Sequence, residues 1–203
     1  ILKWMTKIKI IFTTYLAFSY FFVFSETQNY KITLAGFNIG TLSATHVQVK
    51  NIDYYSIVSN VSVNLIIKVK VYYKTVSVYK DSKLIESKVN SLVNGKSFVS
   101  NTLWDGKHYK INCNTHKYTY VDSSRVEPIK WSVSKLYFEK PAKGNEVYAE
   151  TYGKLSNLKL ETENQFRFEI PKSKQIYHYS EDEILNYVEM INSIKNFKVT
   201  KSI

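Results

Sequence analysis

Two short turn signals, Asn94-Gly95 and Asp105-Gly106, constrain the fold of this chain more than any other feature of its sequence. Asn-Gly and Asp-Gly pairs favour type I′ turns, because both central residues of such turns need a positive φ angle. The residues around them alternate between apolar and polar, which is typical of a strand with one buried face. With a weaker reversal at residues 114–116, the pattern predicts an antiparallel meander of four strands: residues 85–93, 96–104, 107–113 and 117–122.

The alternation continues on both sides of this meander. Residues 30–34 and 41–50 flank a segment bounded by Gly36 and Gly40, which predicts a hairpin with a short loop. A long stretch follows from residue 54 to 80, in which one face is apolar and the other carries lysines, and residues 81–83 turn the chain. The apolar face contains Ile67, Val69, Val71 and Tyr73, and the other face contains Lys68, Lys70 and Lys74. Downstream, further strands are predicted at residues 129–139, 146–152, 154–160, 165–170 and 175–179.

Residues 181–196 fit two structures. Ser180 followed by Glu183 is a capping box, and Ile184, Val188 and Ile191 share one face of a helix. The same residues also alternate like a strand that enters a hairpin at residues 192–196. The pattern by itself leans slightly towards the helix.

Composition agrees with a chain of strands. The 203 residues include 17 Tyr and 11 Phe but only 6 Gly and 3 Pro, and aromatic residues favour strands. No Ser/Gly-rich or Pro-rich linker divides the chain, so a single domain is expected. Ten or more strands with few helices indicate a sandwich, a closed barrel or a strongly curved open sheet. The many tyrosines suit cavity walls, where the ring packs and the hydroxyl stays hydrated.

The first 25 residues have the features of an export signal. Residues 5–9 are basic, residues 10–24 form an apolar run of 15, and Val23 and Ser25 suit the −3 and −1 positions of a signal peptidase site. Cleavage is therefore predicted between Ser25 and Glu26, leaving one domain over residues 26–203. An apolar run of this length is short for a hydrocarbon core of about 30 Å, so a retained membrane anchor is the second choice.

The positive charge consists almost entirely of lysine. Of 28 basic residues only Arg125 and Arg167 are arginine, and the net charge is +11. Proteins that read nucleic acid depend on arginine for bidentate contacts, so no nucleic-acid partner is predicted, whereas contact with an anionic membrane surface is compatible with lysine. The row Lys68, Lys70 and Lys74 could meet lipid headgroups, but protection of an edge strand is the favoured interpretation.

No constellation of residues indicates catalysis. The single cysteine, Cys113, shares a strand face with Tyr109 and Ile111 and is expected to be a buried small side chain. Glu146 and Glu150 share a strand face about 13 Å apart, too far for the usual glycosidase pair, and are interpreted as part of a solvated sheet face. The four histidines, none of them two or four residues from another, are expected to be surface or interface side chains: His46, His108, His116 and His178. We therefore predict no catalytic, cofactor-binding or metal-binding residue and no cofactor.

Six segments resemble an uncharacterised family of exported proteins from Bacteroidota, a domain of unknown function. They are AGFNIGTL at 35–42, YKDSKL at 79–84, VNGK at 93–96, WDGK at 104–107, LYFEKP at 136–141 and YAETYG at 148–153. Such proteins are similar in layout to carriers that escort lipoproteins through the periplasm. The resemblance implies a mainly β, single-domain antiparallel curved sheet or incomplete β-barrel, with little helix beyond the signal segment. It also favours strands at residues 181–196, and it carries no catalytic residue over to this chain.

These observations together predict an exported protein of the periplasm or outer envelope of a Gram-negative bacterium. Its expected function is non-catalytic binding of a lipid or other apolar ligand, whose binding residues and oligomeric context the sequence does not identify. Two alternatives stay open. One is a small outer-membrane β-barrel, although Lys68, Lys70, Lys110 and Lys159 interrupt its strands. The other is a secreted hydrolase that uses Asp or Glu, which would need two carboxylates brought together from distant strands.

Overall fold

A computed structural model describes residues 23–64, 68–170, 173–192 and 196–202. These residues form a mainly β protein with one short 3₁₀ helix, Lys135–Tyr137. The strands are β1 Val23–Leu34, β2 Phe37–Val49, β3 Ile52–Asn64, β4 Lys68–Lys80, β5 Lys83–Val93, β6 Lys96–Trp104, β7 Tyr109–Thr115, β8 Tyr118–Asp122, β9 Glu146–Ala149, β10 Lys154–Asn157, β11 Lys159–Thr162, β12 Gln165–Ile170, β13 Ser173–Tyr179, β14 Leu185–Asn192 and β15 Phe197–Lys201.

Thirteen of the strands form one antiparallel sheet in the order β11-β12-β13-β14-β15-β1-β2-β3-β4-β5-β6-β7-β8. The sheet is curved, because side chains from distant strands meet in one core: Ile57 of β3 belongs to the same buried cluster as Phe166 of β12 and Val188 of β14. Strands β8 and β11 are its two edges, so the described sheet is not closed. The predicted class, a curved antiparallel sheet or incomplete barrel, is confirmed.

The turns between β1 and β8 alternate between two rims of the sheet. We call the rim with the turns at residues 50–51, 81–82 and 105–108 the upper rim. The rim with the turns at residues 35–36, 94–95 and 116–117 is the lower rim. Since the strands rise about 3.3 Å per residue, the 13-residue strands β3 and β4 separate the rims by about 40 Å.

The predicted meander is present, with two corrections at its turns. Asn94 and Gly95 have φ angles of 48° and 85°, as a type I′ turn requires. The turn at Asp105 is longer, because its carboxylate accepts hydrogen bonds from the backbone N–H groups of Lys107 and His108, both at 3.0 Å, and delays β7 until Tyr109. The third reversal lies at residues 116–117 rather than 114–116.

The first hairpin assigns different structural roles to its two glycines. The turn consists of only two residues, Ala35 and Gly36, which have φ angles of 49° and 84°. Gly40 lies inside β2, next to a register shift opposite Ile32. A Cβ atom added to Gly40 would lie 2.0 Å from the backbone oxygen of Asn60 in β3. Gly40 is thus explained by close approach of the neighbouring strand, and only Gly36 belongs to the predicted loop.

The long stretch from residue 54 to 80 is a pair of strands, β3 and β4, joined outside the described residues. Val69, Val71 and Tyr73 of β4 are partly buried, whereas Lys70 and Lys74 are exposed, as the alternation predicts. Ile67 and the side chain of Lys68 lie outside the described part. Strand β4 lies between β3 and β5, so interpreting the lysine row as protection of an edge strand is wrong.

Residues 129–139 are not the strand that their alternation predicts. They belong to a segment, residues 123–158, that leaves the sheet after β8 and crosses its concave face; we call it the inner segment. Alternate residues are buried at Ser132, Ser134 and Leu136, but the backbone makes one isolated bridge, Ser132–Tyr148, and then the 3₁₀ helix. Burial on alternate residues therefore arises here from packing against the sheet and not from a strand ladder.

The C-terminal residues form strands, as the family resemblance implies and contrary to the helical preference of the pattern. Ser180 closes a turn instead of capping a helix: its N–H donates to the Ile184 oxygen at 2.8 Å, and its Oγ accepts from the Ile184 N–H at 3.2 Å. Strand β14 follows, and β15 pairs with both β14 and β1. The last strand thus joins the first in the middle of the sheet.

The predicted leader falls mainly on residues 1–22, which lie outside the described part. Its last three residues belong to β1 and pair with residues 47–49 of β2. Cleavage after Ser25 would leave β1 beginning at Glu26, opposite His46, with the remaining register unchanged. No helix in the described ranges has the length and apolar character needed to cross a bilayer.

Candidate functional site on the concave face

The inner segment fills the upper half of the concave face. Its backbone is hydrogen-bonded to the sheet strands: the Leu84 N–H donates to the Ile129 oxygen at 2.9 Å and the Tyr109 N–H to the Arg125 oxygen at 2.8 Å. Its side chains supply much of the core, and those less than 5% exposed include Ile129, Leu136, Tyr137, Val147, Tyr148, Ala149 and Leu158. This half of the concave face is therefore occupied by the protein itself.

Glu150 fastens the inner segment to β4. Its side chain is only 3% exposed, and its carboxylate accepts hydrogen bonds from Ser77 Oγ at 3.1 Å and from the backbone N–H groups of Val133 and Ser134 at 3.1 and 3.0 Å. The predicted solvated face is therefore wrong for Glu150, because β9 ends at Ala149 and the chain turns inward. Glu146 does lie in solvent, 3.7 Å from Arg125.

The tyrosines of the upper half are buried in the protein and do not line a wet cavity. Tyr148 is fully buried with its hydroxyl 2.6 Å from Thr102 Oγ1, and Tyr109 donates to the Leu84 oxygen at 2.8 Å. Burial raises the pKa of both phenols above the ordinary value of 10. For Tyr148 and Tyr109, the expected hydration of the hydroxyl is thus replaced by hydrogen bonds within the protein.

Cys113 occupies the place that the strand alternation predicts. It is 1% exposed on the same face as Tyr109 and Ile111, and burial raises the pKa of its thiol to about 11. Gly153 of the inner segment lies against it, and a Cβ atom on Gly153 would come within 2.7 Å of Cys113 Sγ. The thiol is a packing group at the contact between β7 and the inner segment.

At the upper rim, residues far apart in sequence form a network of polar and aromatic side chains. His46 Nε2 lies 2.9 Å from Asp53 Oδ1, and the His46 ring stacks on Tyr55 at 4.3 Å. The Tyr55 hydroxyl donates to Glu139 Oε1 at 2.7 Å, and Lys135 Nζ lies 3.2 Å from Glu139 Oε2. Each charged group already has a partner, so the network ties β2 and β3 to the inner segment.

The lower half of the concave face differs in chemistry. Alternate residues of β3 face inward, from Tyr55 and Ile57 near the upper rim to Val61 and Val63 near the lower rim. Their cross-strand partners on β4, β5 and β6 continue this inward face. We call the resulting surface the lower apolar band; its members are Val61, Val63, Val69, Val71, Val93 and Phe98. All six are partly buried and none is fully covered, in contrast to the upper half. Thr151 of the inner segment contacts this region, since its Oγ1 lies 2.6 Å from the Tyr73 hydroxyl.

The other arm of the sheet contributes comparable side chains. Ile170, Met190 and Phe197 are partly buried and pack against the same core cluster as Ile39 and Val61. The two arms of the curved sheet thus present apolar, incompletely covered side chains near the lower rim. The sequence indicated only Val69 and Val71 of this surface, because pairing between strands, which brings the rest together, is not visible in a linear pattern.

A separate open cavity of about 300 Å³ lies beside the edge strand β8 and is lined by charged residues. They include Asp122, Arg125, Glu127 and Lys154. Asp122 accepts hydrogen bonds from the Ser124 N–H and Oγ. These two hydrogen bonds are the main reason why the pKa of Asp122 is lowered. Among the described residues, no three His, Cys, Asp or Glu side chains are grouped as a metal site.

The outward face of the sheet is mixed in polarity. One row of outward residues crosses six strands by direct cross-strand pairing: Lys31, Thr41, Asn60, Tyr72, Leu92 and Ser97. A barrel that spans a membrane needs an apolar outward band instead. The outward row therefore does not favour the outer-membrane alternative.

Comparison with known proteins identifies a family and a fold. The DUF6134 family, a domain of unknown function, matches residues 30–201. No curated protein matches the chain in sequence. Among solved structures, the chain is similar to a β-barrel-like protein of domain of unknown function DUF1849 from Brucella abortus, with a TM-score of 0.50 and 7% identity over 87% of this chain and 94% of that one. At this identity the likeness concerns the fold alone.

Proposed function

The chain belongs to the DUF6134 family, a domain of unknown function, and we propose that it is a non-catalytic binding module of the cell envelope that holds the apolar part of a lipid or lipid-like ligand. The observation that supports this proposal is the lower apolar band. Its side chains face the inside of the curved sheet, yet the protein leaves them only partly covered. Ligand sites of this kind are concave and mainly apolar.

The arrangement suits a narrow, flexible apolar group such as an acyl chain. Val61 is the direct partner of Val71, which is in turn the partner of Val93, so branched side chains line adjacent strands without an interposed charge. The filled upper half sets the depth that such a ligand can reach. The ligand would therefore enter from the lower rim and end near Tyr73, whose hydroxyl contacts Thr151 of the inner segment.

A displacement assay tests the site. The probe is 1-N-phenylnaphthylamine, which fluoresces in apolar surroundings, and the competitor is palmitate. We expect saturable probe binding by the wild type and its displacement by palmitate. Val71→Gln, which places an amide in the apolar band, should weaken binding at least about fivefold, because an unpaired polar group next to an acyl chain costs about 1–3 kcal/mol.

The matched control is Leu92→Gln, on the outward face of the neighbouring strand. It should stay within about twofold of the wild type, and circular dichroism should show both variants folded. Absence of saturable probe binding by the wild type, or an equal effect of the two substitutions, would refute the ligand proposal.

The envelope location rests on the leader and has its own test. Expressed with residues 1–25 in a Gram-negative host, the protein should be recovered from the periplasmic or outer-envelope fraction. N-terminal sequencing should begin at Glu26. A cytosolic protein that retains its leader would contradict export. It would not affect the ligand proposal, which the displacement assay tests independently.

A further inference from the structure

The charges of β1 to β8 are divided between the two rims of the sheet. Residues 23–122 contain six acidic side chains, all in upper-rim turns or in the strand segments beside them: Glu26, Asp53, Asp81, Glu86, Asp105 and Asp122. The lower portions of these strands and their lower turns contain lysines and no acid. The polarity of these eight strands therefore runs from a mixed upper rim to a purely basic lower rim.

The lysines of the lower portion are exposed and lack acidic partners. They are Lys31, Lys70, Lys74, Lys96 and Lys117. None forms an ion pair within the part of the chain that the structure describes, whereas Lys110, nearer the upper rim, lies 3.2 Å from Asp105. The positive potential of this surface is thus not cancelled locally.

Exposed apolar side chains lie among these lysines. Tyr72 stands between Lys70 and Lys74 on the outward face of β4, and its direct cross-strand partner is Leu92. These two side chains are 37% and 43% exposed. We call this surface the lysine face; it comprises Lys70, Tyr72, Lys74, Lys88, Leu92 and Val99. At the lower rim Phe37 is 74% exposed as well.

We propose that the lysine face docks on the surface of an anionic lipid bilayer. Lysines near such a surface are attracted to its headgroups, and tyrosine and leucine gain free energy by entering the interfacial layer between them. The chemistry favours a bilayer over a nucleic acid, because the face contains no arginine for bidentate phosphate or base contacts. Docking uses the outward side of β4 to β6 and does not require a ligand on the inward side.

Vesicle flotation tests this inference. The vesicles contain either phosphatidylcholine alone or phosphatidylcholine with 30% phosphatidylglycerol, at about 0.1 M salt. The wild type should float with the anionic vesicles and not with the neutral ones. The double variant K70E/K74E should have a partition coefficient between anionic vesicles and buffer at least tenfold lower than that of the wild type. The double variant Y72A/L92A should lower it at least threefold without changing its dependence on salt.

The control variant K80E/K107E makes the same change in net charge at the upper rim, where both lysines are exposed. It should bind the anionic vesicles within about twofold of the wild type. Equal losses for the two charge-reversed variants would show that net charge alone is responsible and would overturn the proposal. So would equal binding to neutral vesicles, or a duplex DNA competitor that removes the protein from anionic vesicles at equal phosphate concentration.

Discussion

Replacement of Glu150 by alanine is expected to lower the free energy of unfolding by about 1–3 kcal/mol. The carboxylate is buried and accepts hydrogen bonds from Ser77 Oγ and from the N–H groups of Val133 and Ser134. Its removal leaves the Ser134 N–H without an acceptor in the interior, and a buried unpaired donor costs about 1–3 kcal/mol. The Val133 N–H still has the Tyr148 oxygen at 3.0 Å, and Ser77 Oγ still has Ser87 Oγ at 3.4 Å. Urea unfolding followed by tryptophan fluorescence measures the change.

Glu146→Ala is the matched control, since it deletes the same side chain four residues earlier. The Glu146 side chain is 54% exposed, and its contact with Arg125 is 3.7 Å long. Exposed ion pairs contribute about 0–1 kcal/mol, so this variant should unfold within about 0.5 kcal/mol of the wild type. If both variants lost the same stability, Glu150 would not anchor the inner segment as described.

Replacement of Gly40 by alanine is expected to cost at least about 3 kcal/mol, because a methyl group there meets rigid backbone. The new Cβ would lie 2.0 Å from the Asn60 oxygen and 2.9 Å from the Val61 Cα. Neither atom can move without separating β2 from β3, and overpacking of a filled interior commonly costs about 1–3 kcal/mol even where side chains can yield. The urea midpoint should fall accordingly.

Gly36→Ala provides the comparison within the same motif. Gly36 has a φ angle of 84° but nothing within 4 Å of its added Cβ, so only the left-handed backbone conformation is penalised. That penalty is about 1 kcal/mol. The Gly40 variant should therefore lose at least twice as much stability, and a smaller loss than for Gly36→Ala would contradict the observed strand approach.

The strands of the meander could be predicted because their signals are local. Asn94-Gly95 specifies its turn through the φ angles of two adjacent residues, and the alternation at Tyr109, Ile111 and Cys113 follows from one strand with one buried side. At residues 181–196 the local signals conflicted. There the backbone pairing of β14 with β13 and β15 produces a strand, and such partners are not visible in a pattern of residues.

The candidate site could be predicted only in part for the same reason. The alternation of Val69 and Val71 indicated one side of the lower apolar band, but Val93 and Phe98 join it through pairing between strands. The course of the inner segment could not be predicted at all, since residues 129–139 alternate between buried-type and polar residues as a strand does. The contact between Tyr55 and Glu139 links residues 84 positions apart, and no local rule connects them.

The pairing of β1 with β15 has a consequence for how the protein is made. The seam between the two arms of the sheet is formed by the first and last strands of the described chain, so synthesis completes it only when residues 197–201 have emerged. Until then β1 has its β2 neighbour but an open second side. Deletion of residues 197–201 would therefore split the sheet at its centre instead of shortening it at a margin. Cells that synthesise or translocate this chain must keep that open side from pairing with another molecule.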